Sequence, residues 1–340
     1  MKRVFCFFLS MLTVCFSMSA FSFTSYAEED TEDLLNVLEY EVLEDDTIKI
    51  TRFDSADATY VIPDKIEEKT VTVIGKKAFS GCHILTEITV PDTVTTIENQ
   101  AFNSCGKLSK VNLGASVESL GYRAFADCKS LKSIILPQSL KTIGNNCFIR
   151  CFELDNITIP QSVTSIGNYA FSDCTGLRNL SFEDAELTVG EYAFGWCLAL
   201  TEISLGENVK ELKNYAFYAC DKVTSFTMES KDCVIFDSTN TLPESTAVYG
   251  YKDSTVHDYA LKYEREFISL DKPSYTLLGD ADLDGIVTVL DATYVQSYLA
   301  SATLLDEIGY SNADVDKDGE VKILDATQIQ RFVAQLIPQL

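Results

Sequence analysis

Phe79, Phe102, Phe125, Phe148, Phe171, Phe194 and Phe217 stand 23 residues apart, and Cys82, Cys105, Cys128, Cys151, Cys174, Cys197 and Cys220 keep the same step. A fixed period of this size marks a repeat array whose units are each too small to bury an apolar face alone. Stacked neighbours bury those faces together, so the chain is constrained to a solenoid. Solenoids present long surfaces, which directs attention to binding before catalysis.

The unit is clearest from Ile74 to Pro91; further units begin at Ile97, Leu120, Ile143, Ile166, Val189 and Leu212, seven in all. Ile88 and Val90 alternate with Glu87 and Thr89, so one face of a short strand enters the core. Pro91, Pro137 and Pro160 follow that strand and end it, because proline cannot donate to a ladder. Gly75, Gly121, Gly144, Gly167 and Gly190 mark a bend before a short helical turn expected to carry the Ala-Phe pair. Leu85, Ile88 and Val90 have leucine-rich spacing. With the runs Ile166 to Cys174 and Ile157 to Pro160, the chain resembles the BspA-like leucine-rich repeat family over roughly Tyr40 to Leu270. The resemblance implies an α/β leucine-rich-repeat solenoid with an N-terminal cap at 28–73, repeats at 74–230 and a C-terminal cap at 231–270.

Seven aligned cysteines could pair, bind metal or fill space. Stacked coils place equivalent residues about 4.8 Å apart with no distinct pairing partner. Metal clusters need convergent Cys and His, and no CxxC is present. The cysteines are therefore read as buried, reduced, small apolar side chains. The strand residues that point outward, such as Lys110 and Asn112 or Asn156 and Thr158, are small and polar and read as a solvated sheet face. Tyr169, Tyr192 and Tyr215 precede Ala-Phe in three successive repeats. They read as a ladder packing the solenoid edge, or as an aromatic strip for a protein or glycan ligand.

Met1 to Ala27 reads as a signal peptide, with Lys2 and Arg3, an apolar stretch and a Ser25-Tyr26-Ala27 cleavage site. No later apolar stretch is long enough to span a bilayer, so an exported chain without membrane insertion is expected. A formal charge of −24 argues against a nucleic-acid surface, which needs a basic face.

After a linker at 271–278, two acidic loops begin, 34 residues apart. In the first, Asp280, Asp282, Asp284 and Asp291 fall at positions 1, 3, 5 and 12 of a calcium loop, with Gly285 at the sharp turn and the Ile286 carbonyl at position 7. In the second, the same places hold Asp314, Asp316, Asp318, Asp325, Gly319 and Glu320. Thr288 and Lys322 take position 9, often a small polar residue acting through water, so the lysine is expected to weaken the second site. Calcium is a hard cation that requires such clustered oxygens, and two structural Ca2+ ions are expected. Both loops end in Asp, not the bidentate Glu of an ordinary EF-hand, and neither reads as having a helix ahead of it.

With Leu290-Asp291-Ala292-Thr293 echoed by Leu324-Asp325-Ala326-Thr327, residues 279–340 resemble a type I dockerin, a small all-α module. The resemblance implies docking onto a cohesin module of a scaffoldin, as in cellulosome-type assemblies for polysaccharide breakdown. Carried across, Val289, Leu290, Ile323 and Leu324 would choose the cohesin. Both pairs are apolar where the familiar pattern is Ser/Thr.

The chain thus reads as a secreted, non-catalytic interaction protein. An alternative is a polysaccharide-active enzyme, but the only histidines, His83 and His257, have no paired nucleophile or base, and the clustered carboxylates are taken by calcium. A third reading is an adhesin that binds host or matrix protein through the array.

Overall fold

The computed structural model describes residues 38–244, 246–271, 277–305, 307–335 and 340; the signal segment Met1 to Ala27 lies outside them. Each 23-residue coil contributes two short strands to two parallel ladders. In one, Glu87–Thr89, Lys110–Asn112, Ser133–Ile134, Asn156–Ile159 and Asn179–Phe182 pair in sequence, with Ser133 opposite both Lys110 and Asn156. In the other, Thr96–Ile97, Ser119–Leu120, Thr142–Ile143, Ser165–Ile166, Thr188–Val189, Glu211–Leu212 and Val234–Ile235 do the same. Period-two alternation buries Ile88, Val111, Ile134 and Ile157 and leaves their neighbours facing outward, as the sequence pattern requires.

The third side of each coil is not the expected helical turn. Two residues per coil, four apart, adopt left-handed backbone: Lys77 and Gly81 (φ 62° and 76°), Asn146 and Arg150 (57° and 60°), Tyr215 and Ala219 (58° and 55°). A left-handed residue ends a helix, so the chain turns twice instead. Ala78 N donates to Gly75 O and Ser80 N to Lys77 O, closing the turns. The alternate amides of Lys77, Phe79 and Gly81 donate across to Asn99, Ala101 and Asn103 of the next coil. These non-glycine conformations cost about 1–2 kcal/mol each, and the cross-coil bonds that need them offset that cost.

The repeat phenylalanines form one buried column. From Phe102 to Phe217 successive rings lie 5.0–5.3 Å apart and within 9° of parallel. That spacing follows the strand spacing of the ladders. Gly144 shows how close the coils come, since a Cβ there would sit 2.6 Å from the Gly121 carbonyl carbon. Beside the rings, each thiol of the repeat column, Cys105, Cys128, Cys151, Cys174, Cys197 and Cys220, donates to the carbonyl of a phenylalanine 26 residues earlier, at 3.0–3.4 Å. All nine cysteines among the described residues are unpaired. Burial pushes the Cys147 and Cys174 thiols above the usual range. The cysteines are thus hydrogen-bond donors as well as filler.

An antiparallel hairpin, Leu38–Val42 with Ile48–Phe53, closes the first end. At the other end, helix α1 (Thr255–Lys262) lies between strands Ala247–Gly250 and Phe267–Ser269 and buries Val256, Tyr259 and Ala260. The first ladder is interrupted once, between Asn179–Phe182 and Glu202–Leu205. There Glu183, Asp184 and Ala185 replace the proline turn, and Leu187 is buried one residue after the place that Val163 and Val209 set. The slip leaves Leu180 and Phe182 half-buried beside an open cleft of about 500 Å³, with Asp184, Glu207 and Glu229 on its walls.

A second, separate core gathers Ala281, Ala292, Val295, Ala313, Val315, Val321, Ala326 and Ile329. Its helices are α2 (Val289–Leu299), α3 (Glu307–Ala313) and α4 (Ile323–Val333).

Candidate functional site

The two acidic loops are closed by the same hydrogen bonds. In the first, Asp280 accepts from Asp284 N and Gly285 N, both at 3.1 Å. In the second, Asp314 accepts from Asp318 N at 3.1 Å and Gly319 N at 2.9 Å. Gly285 (φ 87°) and Gly319 (φ 89°) take the left-handed turn that a side chain would strain. The last aspartate of each loop is also the third residue of the following helix. Asp291 accepts from Thr288 N at 2.7 Å and from Ala281 N at 2.8 Å. Asp325 accepts from Lys322 N at 2.7 Å and from Val315 N at 3.0 Å. One buried carboxylate therefore caps the helix and ties the loop back to its start.

Each loop converges oxygen. Asp280, Asp282 and Asp284 bring carboxylate oxygens within 4.8 Å of one another, and so do Asp314, Asp316 and Asp325. Burial, followed by repulsion from neighbouring carboxylates including Asp291, raises the Asp280 and Asp282 carboxyls above their usual range. An all-oxygen set of clustered carboxylates matches the donor chemistry of a hard divalent ion. Asp284 and Asp318 stand at equivalent places, but Lys322 draws Asp318 away, with its Nζ 2.7 Å from Asp318 Oδ2 and 2.9 Å from Glu320 Oε2. This pairing holds the Asp318 carboxyl below the usual carboxylate range. Thr288 instead caps α2, its Oγ1 accepting from Leu290 N at 3.0 Å.

Read from sequence as having no helix ahead of it, the second loop has α3 directly before Asp314. That helix is too short to show a period, and it is held by two residues that sequence reasoning missed. Asn312 Nδ2 donates to Asp280 O at 2.9 Å, and Tyr310 Oη accepts from Val321 N at 3.2 Å. Both loops are thereby joined through one element.

The apolar pairs sit in the first turns of α2 and α4. Val289 and Leu290 are 53% and 61% exposed, and Ile323 and Leu324 are 60% and 54% exposed. Ala292, Val295, Ala326 and Ile329, further along the same helices, are buried. The core therefore does not use the four side chains, and two matching apolar patches face solvent.

In the array, Tyr169, Tyr192 and Tyr215 stack at 4.9 and 4.7 Å. Trp196 lies parallel to Tyr192 at 5.5 Å, and Tyr218 meets Tyr192, Trp196 and Tyr215 edge-on. The tyrosines turn their faces to one another. Trp196 and Tyr218 carried no signal, because no other coil places an aromatic residue at either position. The outward strand residues satisfy one another: Lys110 Nζ pairs with Glu87 at 2.6 Å and Asn112 Nδ2 donates to Thr89 Oγ1 at 3.1 Å.

The family model for the BspA type leucine rich repeat region matches in 6 copies, over residues 47–178 and 141–241, which is more than half of the chain. The chain belongs to the BspA-type leucine-rich repeat family. Residues 278–334 match the dockerin type I domain, so a dockerin follows the BspA-type array, and a dockerin implies a cohesin partner. Neither module type is catalytic. Among solved structures, a leucine-rich repeat protein from Bacteroides ovatus is 24% identical with a TM-score of 0.48, over 68% of this chain and 75% of that one. A T. pallidum leucine-rich repeat protein is 24% identical with a TM-score of 0.46, over 68% and 96%. No curated protein matches the chain. No helix among the described residues of this BspA-type protein is long and apolar enough to cross a membrane.

Proposed function

We propose that this is an exported, non-catalytic interaction protein that the dockerin plugs into a cohesin-bearing scaffold, while the array of 74–230, capped by 28–73 and 231–270, presents the working surface. The observation that carries the reading is the pair of equivalent apolar patches, Val289/Leu290 and Ile323/Leu324, each exposed at the helix start that an acidic loop holds in place. Asp280, Asp282, Asp284, Asp291 and the Ile286 carbonyl would hold one calcium ion. Asp314, Asp316, Asp325, the Glu320 carbonyl and Asp318, once released by Lys322, would hold the other. The ions are structural: they supply folding energy, not chemistry. The assembly it joins would serve polysaccharide breakdown or attachment to a substrate or cell.

The test is capture of cohesin modules by the full chain, with calcium and then with chelator. Calcium-dependent capture is expected. Changing Val289/Leu290 to aspartates should leave binding through Ile323/Leu324, and changing both pairs should abolish it. No calcium-dependent capture would defeat the reading and leave the array alone as the binding part, as in an adhesin.

A further inference from the structure

The two loops share a fold but not an interior. Shifted by 34 residues, loop one's Leu283 and Thr288 become Lys317 and Lys322 in loop two. The first loop's carboxylates make no ion pair among the described residues, and its convergent trio includes Asp284. In the second loop the trio is Asp314, Asp316 and Asp325, while the position-five carboxylate, Asp318, is bound by Lys322. The same ammonium holds Glu320 at 2.9 Å. It is thus attached to the loop it neutralises and present at a fixed local concentration, whatever the calcium level.

We infer that Lys322 is a built-in competitor for the second calcium site, so that the two loops fill in sequence, the first at low calcium and the second only when calcium displaces an ammonium from Asp318. This rests on the calcium reading above. An ammonium has no lone pair and cannot become a ligand itself. To form the full site it must swing out, and Asp318 must exchange one cation for another. Charge count and ligand availability set calcium affinity over several decades in loops of this kind, and removing one carboxylate from the initial set is expected to weaken the second site by about tenfold or more.

The consequence reaches the docking face. Asp325 closes the second loop and caps α4, whose first turn carries Ile323 and Leu324. Asp291 does the same for Val289 and Leu290. At intermediate calcium one apolar patch is locked and the other is not. Calcium concentration then sets how many of the two equivalent faces can accept a partner.

The experiment is a calorimetric calcium titration of the chelator-stripped full chain, with amide spectra of Gly285 and Gly319 recorded at each step. Two unequal steps are expected, with Gly285 moving in the first and Gly319 in the second. Lys322→Thr, which installs the first loop's own residue, should strengthen the second step about tenfold and bring the steps together. Lys317→Leu removes the same charge from the same loop without touching Asp318, and should shift the second step far less. Equal steps in the unaltered chain, or a Lys322→Thr titration that overlays it, would overturn the inference while leaving calcium binding intact. Equal effects of the two substitutions would reduce it to net charge and overturn it too. Absence of calcium uptake at either glycine would instead bring down the calcium reading itself.

Discussion

Replacing Phe148 by alanine tests whether the aromatic column holds the array together or only fills it. Phe148 is fully buried and lies between Phe125 at 5.3 Å and Phe171 at 5.0 Å, with both rings within 9° of parallel. A buried Phe→Ala change costs about 3–5 kcal/mol, the value depending on how far the site can collapse. Collapse is resisted here, because the flanking coils are held at strand spacing by ladder bonds on both sides, such as Ser133 with Lys110 and Asn156. Two ring contacts are lost as well, each contributing about 0.5–1.5 kcal/mol beyond area. The expected loss is therefore in the upper half of that range, about 4–5 kcal/mol. Urea unfolding should be followed by Trp196, the single tryptophan, and by far-ultraviolet ellipticity. Because a solenoid couples only nearest neighbours, the weakened interface should also separate the two signals, with Trp196 reporting the later coils alone. A loss below about 2 kcal/mol by both probes, with coincident transitions, would refute the reasoning and make the column mere volume.

Gly144→Ala should cost about 1–3 kcal/mol at unchanged m-value in urea, because its Cβ would meet backbone at 2.6 Å; a neutral result would mean that the coils can slide apart. Chelation should lower the helical ellipticity of α2 and α4 and leave Trp196 fluorescence unchanged, because the two cores are separate; a shift in Trp196 would contradict that independence. In chelator, Asp280 and Asp282 have raised carboxyl pKa values, so their contribution to stability is present below the free carboxyl value and is lost as pH rises through the raised one. The calcium-free dockerin should thus be more resistant to urea in mildly acid than in neutral solution, with the order reversed in calcium; the same order in both would refute the assignment of burial and mutual repulsion to these carboxylates.

The array was readable because its strongest constraints use scarce residues at one spacing: Phe148 and Cys151 announce the coil wherever they recur. The left-handed pairs were not readable. Lys77, Arg123 and Tyr192 occupy that conformation in different coils, and cross-coil bonding, not residue type, imposes it. The thiol bonds were hidden for a related reason, since each joins Cys151-type donors to backbone carbonyls that carry no sequence label. The interrupted ladder left a faint trace in the missing proline near Glu183, but the one-residue slip to Leu187 depends on packing. In the dockerin, aspartate spacing located both loops, whereas α3 is too short to show a period and Asn312 acts through a single tertiary bond.

The lock between coils has a consequence for how such a protein can change size. In the middle of the array, alternate amides of the left-handed turn, the phenylalanine rings and the column thiols find partners in the adjoining coil, each kind at its own recurring offset. Adding or deleting a single residue within a coil breaks all three kinds of contact at once, whereas duplicating an entire coil creates a new set already complete. The distance between the two ends of the array can therefore be adjusted only in whole steps, like a chain lengthened by links, and the module at its end can be carried nearer or farther without redesigning either part.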